Sequence, residues 1–331
     1  MRQQLQIKIL SGLVLWGIFT VILGAFTRIN DAGLGCPDWP GCFGAITAPM
    51  SGQELHQALK HYSMDVPVTP YKAWLEMIHR YAASIFGSII LLLSGFMLRQ
   101  ENQWFKKVLY GALIALVLFQ GLLGMWTVTM KLHPMVVMGH LVGGISLTAI
   151  MAWLLFDLIQ PRLIFKPSIN KMILSMRIGV ALLMAQIILG GWTSATYSGA
   201  VCSTFPLCEG SLFPNMDMHA AFLTLPQSGL NYQGGILSHG ARVAIQMMHR
   251  YGAFVVTGYF TWLLIVGFST HKVSKVWPAL VAFLLVLQVL LGVLNVWWYL
   301  PISLAVLHNA VALLLLLATQ IWLIKTRQQS Q

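Results

Sequence analysis

The stretch ILGAFTRINDAGLGCPDWPGCFG, residues 22–44, recurs without a gap as ILGGWTSATYSGAVCSTFPLCEG at residues 188–210. The offset of 166 residues aligns Gly24 with Gly190, and it aligns both cysteines of the first stretch with both cysteines of the second. A match of this length between distant parts of one chain indicates an internal duplication.

Two more pairs of segments extend the match through both halves of the chain. EMIHRY at 76–81 corresponds to QMMHRY at 246–251 with an offset of 170. QGLLG at 120–124 corresponds to QVLLG at 288–292 with an offset of 168. Because the offset changes so little over half the chain, we interpret the protein as two copies of one unit.

The composition indicates an integral membrane protein. Of the 331 residues, 57% are hydrophobic and only 9% are charged, whereas about 25% of the residues of a soluble domain are charged. Eight apolar stretches of about 20 residues are long enough to cross a bilayer as helices. We expect them near 9–29, 74–98, 106–129, 133–159, 172–195, 240–267, 276–299 and 301–324. No small-residue cleavage site follows the first stretch, so we expect a retained helix there.

The net charge is +11, and membrane topology explains it, because most of the basic residues fall on one side of the membrane. Thirteen of the 20 basic residues fall on one side of the alternating connections: Arg2, Lys8, Arg99, Lys106, Lys107, Arg162, Lys166, Lys171, Arg177, Lys272, Lys275, Lys325 and Arg327. Most acids fall on the other side: Asp31, Asp38, Glu54, Asp65, Glu76, Glu209 and Asp217. This positive-inside pattern places both termini in the cytoplasm, and the charge requires no nucleic-acid partner.

The repeat predicts an all-α membrane fold of two tandem four-helix bundles. Each copy has an even number of spans, so both copies have the same orientation in the membrane. We therefore expect a pseudo-twofold axis along the membrane normal. The predicted halves are residues 1–165 and 166–331. Four-helix bundles commonly build haem sites from side chains on facing helices.

All four cysteines lie in the predicted outer connections, as the pairs Cys36/Cys42 and Cys202/Cys208. Outside the cytoplasm, an even number of cysteines at a repeated spacing predicts two local disulfides. Each disulfide would staple a loop rich in glycine and proline. The alternative is a thiol pair that exchanges electrons, and Asp31 and Asp38 make that alternative more plausible for the first pair.

Four histidines, His79, His140, His249 and His308, occupy corresponding positions in four of the apolar stretches. A histidine within a membrane must bond to a partner or bind a metal. Four at matching depth favour haem iron held between imidazoles from two helices, with His79 facing His140 and His249 facing His308. The other four spans carry repeated glycines, which allow the close approach of a flat ring or of a neighbouring helix: Gly24, Gly124, Gly190 and Gly292.

The two copies differ beside the histidines. Glu76 precedes His79 by three residues and shares its helix face, whereas Gln246 stands at the corresponding place before His249. A buried acid is costly without a partner or a chemical role. One alternative is a salt bridge to Arg80 or Arg28. The other is that the first half performs proton-coupled chemistry while the second half holds a redox centre.

The remaining histidines lie in or near the connections. His56 and His61 fall in the long outer connection of residues 30–73, which we interpret as a polar cap or, alternatively, as a lid over a site that opens outward. Four others are expected to be solvated: His133, His219, His239 and His271.

Taken together, these motifs resemble the heme A synthase family. The resemblance covers nearly the whole chain and rests on GAFTRINDAGLGCPDWPGC at 24–42, EMIHRY, GHLVGG at 139–144, the second cysteine pair, QMMHRY and LHNAVALLL at 307–315. It implies a membrane oxidoreductase that converts the C8 methyl of heme O to a formyl by successive hydroxylations. Water supplies the oxygen, and the resulting diol loses water.

The resemblance also implies roles for particular residues. His249 and His308 would be the axial ligands of a retained haem b in the second half, and His79 and His140 would flank heme O in the first. Glu76 would be the essential acid. The implied location is the bacterial inner membrane. The implied partners are membrane lipid, an electron acceptor of unknown identity and, as candidates, heme O synthase and terminal oxidase assembly factors.

Two other classes of protein fit part of this pattern. A membrane cytochrome b that transfers electrons from quinol or to a thiol partner, without modifying haem, would also need four histidines. A transporter with two parallel repeats would fit the duplication, but the spans contain few charges beyond Asp157 and Glu76. The difference between Glu76 and Gln246 favours an enzyme with unequal halves.

Overall fold

The computed structural model describes residues 3–62, 64, 67–159, 171–224, 226–227, 229–269 and 274–329. Its helices are α1 (Gln3–Ile29), α2 (Gly52–Ala58), α3 (Pro70–Gln100), α4 (Trp104–Thr129), α5 (Pro134–Ile159), α6 (Lys171–Ala195), α7 (His239–Ser269), α8 (Val276–Trp297) and α9 (Ile302–Gln329), with one π-helical turn at His219–Leu223. Six residues named above lie outside the described part: Arg2, Asp65, Arg162, Lys166, His271 and Lys272.

Eight of these helices, all except α2, are long and apolar enough to cross a membrane. Their spans contain 22 to 31 residues, and at about 1.5 Å per residue even the shortest exceeds the hydrocarbon thickness of about 30 Å. The predicted all-α membrane fold is therefore confirmed, and each helix overlaps one predicted stretch. In the described part of the chain, β-pairing consists of two isolated bridges, Cys42 with Ala45 and Cys208 with Ser211.

The duplication extends to the backbone of the connections. The link between α4 and α5 contains two consecutive residues with positive φ, Lys131 and Leu132, and the link between α8 and α9 contains Tyr299 and Leu300 in the same conformation. Positive φ is uncommon for residues other than glycine. Two such residues at the same offset of 168 are therefore a conformational copy of the repeat seen in the sequence.

The described residues form two compact units. One comprises Leu15–Thr148 with Leu225–Ile236, and the other comprises Met1–Val14, Ala149–Thr224 and Leu237–Gln331. Helices α1 and α5 contribute to both. The boundary predicted from the repeat, between residues 165 and 166, falls outside the described residues.

The described residues of segment 226–236, which lies in the connection before α7, pack within the unit formed by the first repeat. Tyr232 is 4% exposed and lies in an apolar cluster with Leu34 and Leu132. Its backbone N–H donates to Lys131 O at 3.0 Å, and its hydroxyl donates to Gln227 O at 2.7 Å. Burial raises the pKa of the Tyr232 phenol above its ordinary value.

The same contact overturns one expectation about the loop histidines. His133, predicted to be solvated, is only 8% exposed. Its ring packs edge-on against Tyr232 with 5.4 Å between centroids, and its Nε2 lies 3.2 Å from Pro226 O. The prediction was wrong because segment 226–236, distant in sequence, covers the end of α5. His56, His61, His219 and His239 are exposed.

We expect Tyr232→Ala to free segment 226–236 from the first-repeat unit. Removing a buried aromatic side chain costs about 3 kcal/mol or more, so the amide of Tyr232 should exchange with solvent roughly 100-fold faster. Tyr232→Phe keeps the ring and loses one hydrogen bond worth about 1 kcal/mol, so its effect should stay below about tenfold. Hydrogen exchange measured by mass spectrometry on this segment tests both, and unchanged exchange in the alanine variant would contradict the packing.

Candidate functional site

We call the unit that contains Leu15–Thr148 the first unit and the other the second unit. In the first unit, His79 of α3 and His140 of α5 lie together. Their ring centroids lie 6.3 Å apart, and the ring planes are perpendicular. A metal bound to an imidazole lies about 2.0 Å from the nitrogen, which places the centroids of two imidazoles on opposite sides of one metal about 6 Å apart. The spacing of His79 and His140 therefore fits a single iron between them.

Each of the four histidines packs against one of the four repeated glycines. An ideal Cβ on Gly24 of α1 would lie 2.8 Å from His79 Cε1, and one on Gly124 of α4 would lie 3.5 Å from His140 Cε1. In the second unit, Gly190 of α6 stands 3.1 Å from His249 Cε1 and Gly292 of α8 stands 3.1 Å from His308 Cε1 by the same measure. These glycines therefore make room for imidazole rings.

The histidines have polar atoms that the protein leaves without partners. The Nδ1 atoms of His79, His140 and His308 are buried and make no hydrogen bond to the described residues. The residues themselves are partly exposed. A partly exposed imidazole between apolar helices, with one nitrogen buried, fits a planar ligand that occupies the accessible edge. These features fit haem better than a compact metal site, because the described residues contain no cluster of three or more histidine, cysteine or acidic side chains.

In the second unit, the rings of His249 of α7 and His308 of α9 each contact a glutamine amide. Gln186 Nε2 of α6 lies 3.0 Å from His249 Nδ1 and donates to His249 O at 2.9 Å. Gln288 Nε2 of α8 lies 3.2 Å from His308 Nε2. Sequence reasoning missed both glutamines. The available signal was their spacing, because each stands four residues before a glycine of the repeat.

Glu76 is buried, 4% exposed, and fully partnered. Its Oε1 lies 2.5 Å from Arg80 Nη2, and its Oε2 accepts a hydrogen bond from Cys36 N at 2.9 Å. Of the two alternatives left by the sequence, the salt bridge to Arg80 is thus present. Helix geometry keeps the carboxyl on the face of α3 that carries His79, one turn away.

Arg80 also reaches the loop of the first cysteine pair. Its Nη1 donates to Asp38 O at 2.9 Å and to Gly41 O. In the second unit, Arg250 donates to Thr204 O at 2.8 Å, Leu207 O at 2.9 Å and Cys202 O at 3.2 Å. Both guanidinium groups are therefore occupied by loop carbonyls.

Gln246 occupies the place of Glu76 in the second unit. It is 5% exposed, and its Oε1 is buried without a hydrogen-bond partner among the described residues. The acid is therefore the main difference between two sites that otherwise share a histidine pair, two glycines and an arginine.

Both cysteine pairs form disulfides, Cys36–Cys42 and Cys202–Cys208. Each packs against the N-terminal part of a histidine-bearing helix, next to Met77 of α3 or Met247 of α7. The four cysteines are at most 2% exposed. The disulfides thus fix the two loops that Arg80 and Arg250 hold.

Comparison of the sequence with known proteins identifies the family of this chain. The model of the COX15-CtaA family, described as cytochrome oxidase assembly protein, matches residues 8–320. A heme A synthase of Shewanella oneidensis is 41% identical over 302 residues, which cover 91% of this chain and 90% of that protein. The heme A synthase of Neorickettsia sennetsu is 27% identical over 89% of this chain and 91% of its own length. For the heme A synthase of Bartonella tribocorum, the values are 26%, 95% and 90%. The chain therefore belongs to the COX15-CtaA family of cytochrome oxidase assembly proteins.

Proposed function

We propose that this protein is a membrane oxidoreductase that converts heme O to heme A by oxidising the C8 methyl group to a formyl. One observation carries the proposal: of two matched histidine sites, only the first has a buried carboxyl, Glu76 where the second has Gln246. An electron-transfer cytochrome has no need of such a difference. Relatives that match nearly the full length are named heme A synthase.

The two sites would hold different haems. His249 and His308 would be axial ligands of a retained haem b, which supplies one-electron redox chemistry when it is bound. His79 and His140 would flank the substrate heme O, with Gly24 and Gly124 giving their rings room. These assignments correspond to an N-terminal substrate half, residues 1–165, and a C-terminal haem b half, residues 166–331.

Glu76 would have two roles at the reacting methyl: it would stabilise the positive charge that develops there, and it would accept a proton. Oxidising a methyl carbon builds positive charge, which a nearby carboxylate stabilises most strongly where water is excluded. The same carboxylate can accept a proton or orient the attacking water as a general base. Arg80 and the Cys36 N–H hold one oxygen each, so both fix the direction in which the carboxyl points.

The protein would reside in the bacterial inner membrane with both termini in the cytoplasm. The eight apolar helices and the predominance of basic residues on one side support this topology. Its partners would be lipid, heme O, and an acceptor that takes up electrons from haem b. Heme O synthase and terminal oxidase assembly factors are candidate protein partners.

The activity is tested by extracting haems from cells that express this chain with a source of heme O, in a host that makes no heme A. Mass-resolved chromatography should show heme A, or its hydroxylated precursor, only when the chain is present. Heme O that stays unconverted beside correctly folded, haem b-loaded protein would instead identify an electron-transfer cytochrome.

We expect Glu76→Gln to retain the bound haem b and to lower the yield of heme A by roughly 100-fold or more, the usual contribution of a general base. The amide matches the shape that Gln246 already shows to be tolerated at the corresponding place. Glu209→Gln is the matched control, because it removes an exposed acid of the outer side that pairs with His239. Wild-type product yield from Glu76→Gln would refute the catalytic role.

His249→Ala and His308→Ala should each abolish the low-spin spectrum of haem b, because a six-coordinate iron needs both imidazoles. His239→Ala, which changes an exposed histidine at the start of α7, should leave the spectrum intact. Optical spectroscopy of the purified variants in detergent gives the result. A normal spectrum in His249→Ala or His308→Ala would place haem b elsewhere.

A further inference from the structure

Three of the four glycines that contact imidazoles have a glutamine four residues earlier. Gln120 precedes Gly124, Gln186 precedes Gly190 and Gln288 precedes Gly292 by that interval. In a helix this spacing places the two residues on one face, one turn apart. The fourth position departs from the pattern, because Thr20 precedes Gly24.

Gln186 makes the closest side-chain contact with a histidine among these four residues. Its Nε2 lies 3.0 Å from His249 Nδ1 and 2.9 Å from His249 O. Its Oε1 is buried and has no partner in the described part of the chain. Gly252, one turn after His249 on α7, leaves the space for this amide, since a Cβ there would lie 2.2 Å from Oε1.

This contact matters because the ring nitrogen that carries the hydrogen determines which nitrogen is able to bind a metal. An imidazole that binds iron through Nε2 carries its hydrogen on Nδ1, and Nδ1 then needs an acceptor. Of the two polar atoms in the Gln186 amide, only Oε1 accepts. A half-turn of the amide exchanges the bond from Nε2 to His249 O for one from Nδ1–H to the partnerless Oε1, so one side chain can serve the ring with and without a metal.

We propose that Gln186 is the positioning residue of the second-half haem, holding His249 through a hydrogen bond from Nδ1–H to its carboxamide oxygen. The proposal rests on the proposed function, in which His249 is an axial ligand of haem b. A hydrogen bond to Nδ1 fixes the ring orientation and makes the imidazole a stronger ligand. Gln186 does not touch the iron and acts through His249.

The corresponding place in the first unit is built differently. Thr20 uses its hydroxyl within its own helix, donating to Trp16 O at 2.8 Å. The Nδ1 of His79 is buried and has no hydrogen bond to the described residues. The ring of His79 is therefore packed by Gly24 but not fixed by an amide. This difference suits a permanent haem in the second half and, in the first, a substrate that must enter and leave.

The test compares Gln186→Glu with Gln186→Leu in the purified full-length protein. A carboxylate at this position strengthens the bond from Nδ1–H and stabilises ferric haem, so Gln186→Glu should lower the midpoint potential of haem b. Gln186→Leu keeps much of the volume and removes the acceptor, so it should raise the potential. Thr20→Val, at the corresponding place of the first half, should leave the haem b potential unchanged. Shifts of opposite sign are the signature of a hydrogen bond, because a role in packing alone would move both variants the same way or neither.

A second measurement keeps the proposal testable if the glutamate variant fails to load haem. Transfer of haem b from Gln186→Leu to apomyoglobin should be at least about tenfold faster than from the unchanged protein, in line with the loss of a ligand's outer hydrogen bond. Unchanged potential and release rate in Gln186→Leu would overturn the proposal. A haem b spectrum that survives His249→Ala would instead overturn the proposed function on which it rests.

Discussion

The close contact between a glycine of one helix and an imidazole of the next is the interaction on which the rest of this structure depends. Within a bilayer no water satisfies a ring nitrogen, so an imidazole is stable only where the protein or a ligand provides its partners. Glycine brings the neighbouring backbone close enough to pack directly against the ring. The four contacts occur between α1 and α3, α4 and α5, α6 and α7, and α8 and α9. They therefore also determine how the helices of each unit pack.

The two copies share this packing of glycine against imidazole. They differ in the polar side chains around the histidine rings. The first copy has Glu76 and Thr20, and the second has Gln246 and Gln186. One exchange decides whether a carboxylate lies beside the histidine, and the other decides whether a side-chain amide does. The backbone is unchanged by either, and even the positive φ values of the short links match. A duplicated frame with altered polar residues would allow one site to react and the other to hold a redox centre, as the proposed function requires.

The spans, the repeat and the meeting of His79 with His140 could be predicted from the sequence, because hydropathy and periodic motifs report local structure. The burial of His133 could not, because it depends on the docking of Tyr232 from a connection almost a hundred residues away. The hydrogen bonds of Arg80 and Arg250 to loop carbonyls were also hidden, since nothing in the HRY motifs says where the guanidinium points. Gln288 lay in a repeat motif and Gln186 two residues before another, but a glutamine one turn from a glycine is too common to single out.

The sequence also left open whether the first cysteine pair exchanges electrons or staples its loop, and the surroundings of the pair favour the staple. Disulfide exchange needs a thiolate to reach a sulfur atom, yet Cys36 and Cys42 are both 0% exposed. Asp38, one of the acids that made redox chemistry attractive, accepts hydrogen bonds from Phe43 N at 2.7 Å and Gly44 N at 2.8 Å.

The staple has a consequence for the chemistry. The Cys36 N–H that the disulfide helps to fix is a hydrogen-bond donor to Glu76, and Arg80 joins the same loop to the same carboxylate. In the proposed reaction, the disulfide would thus contribute by holding the carboxyl in place. In the second copy Arg250 binds the corresponding loop and Gln246 stands in the place of Glu76, so the acid, and not the disulfide, distinguishes the two sites.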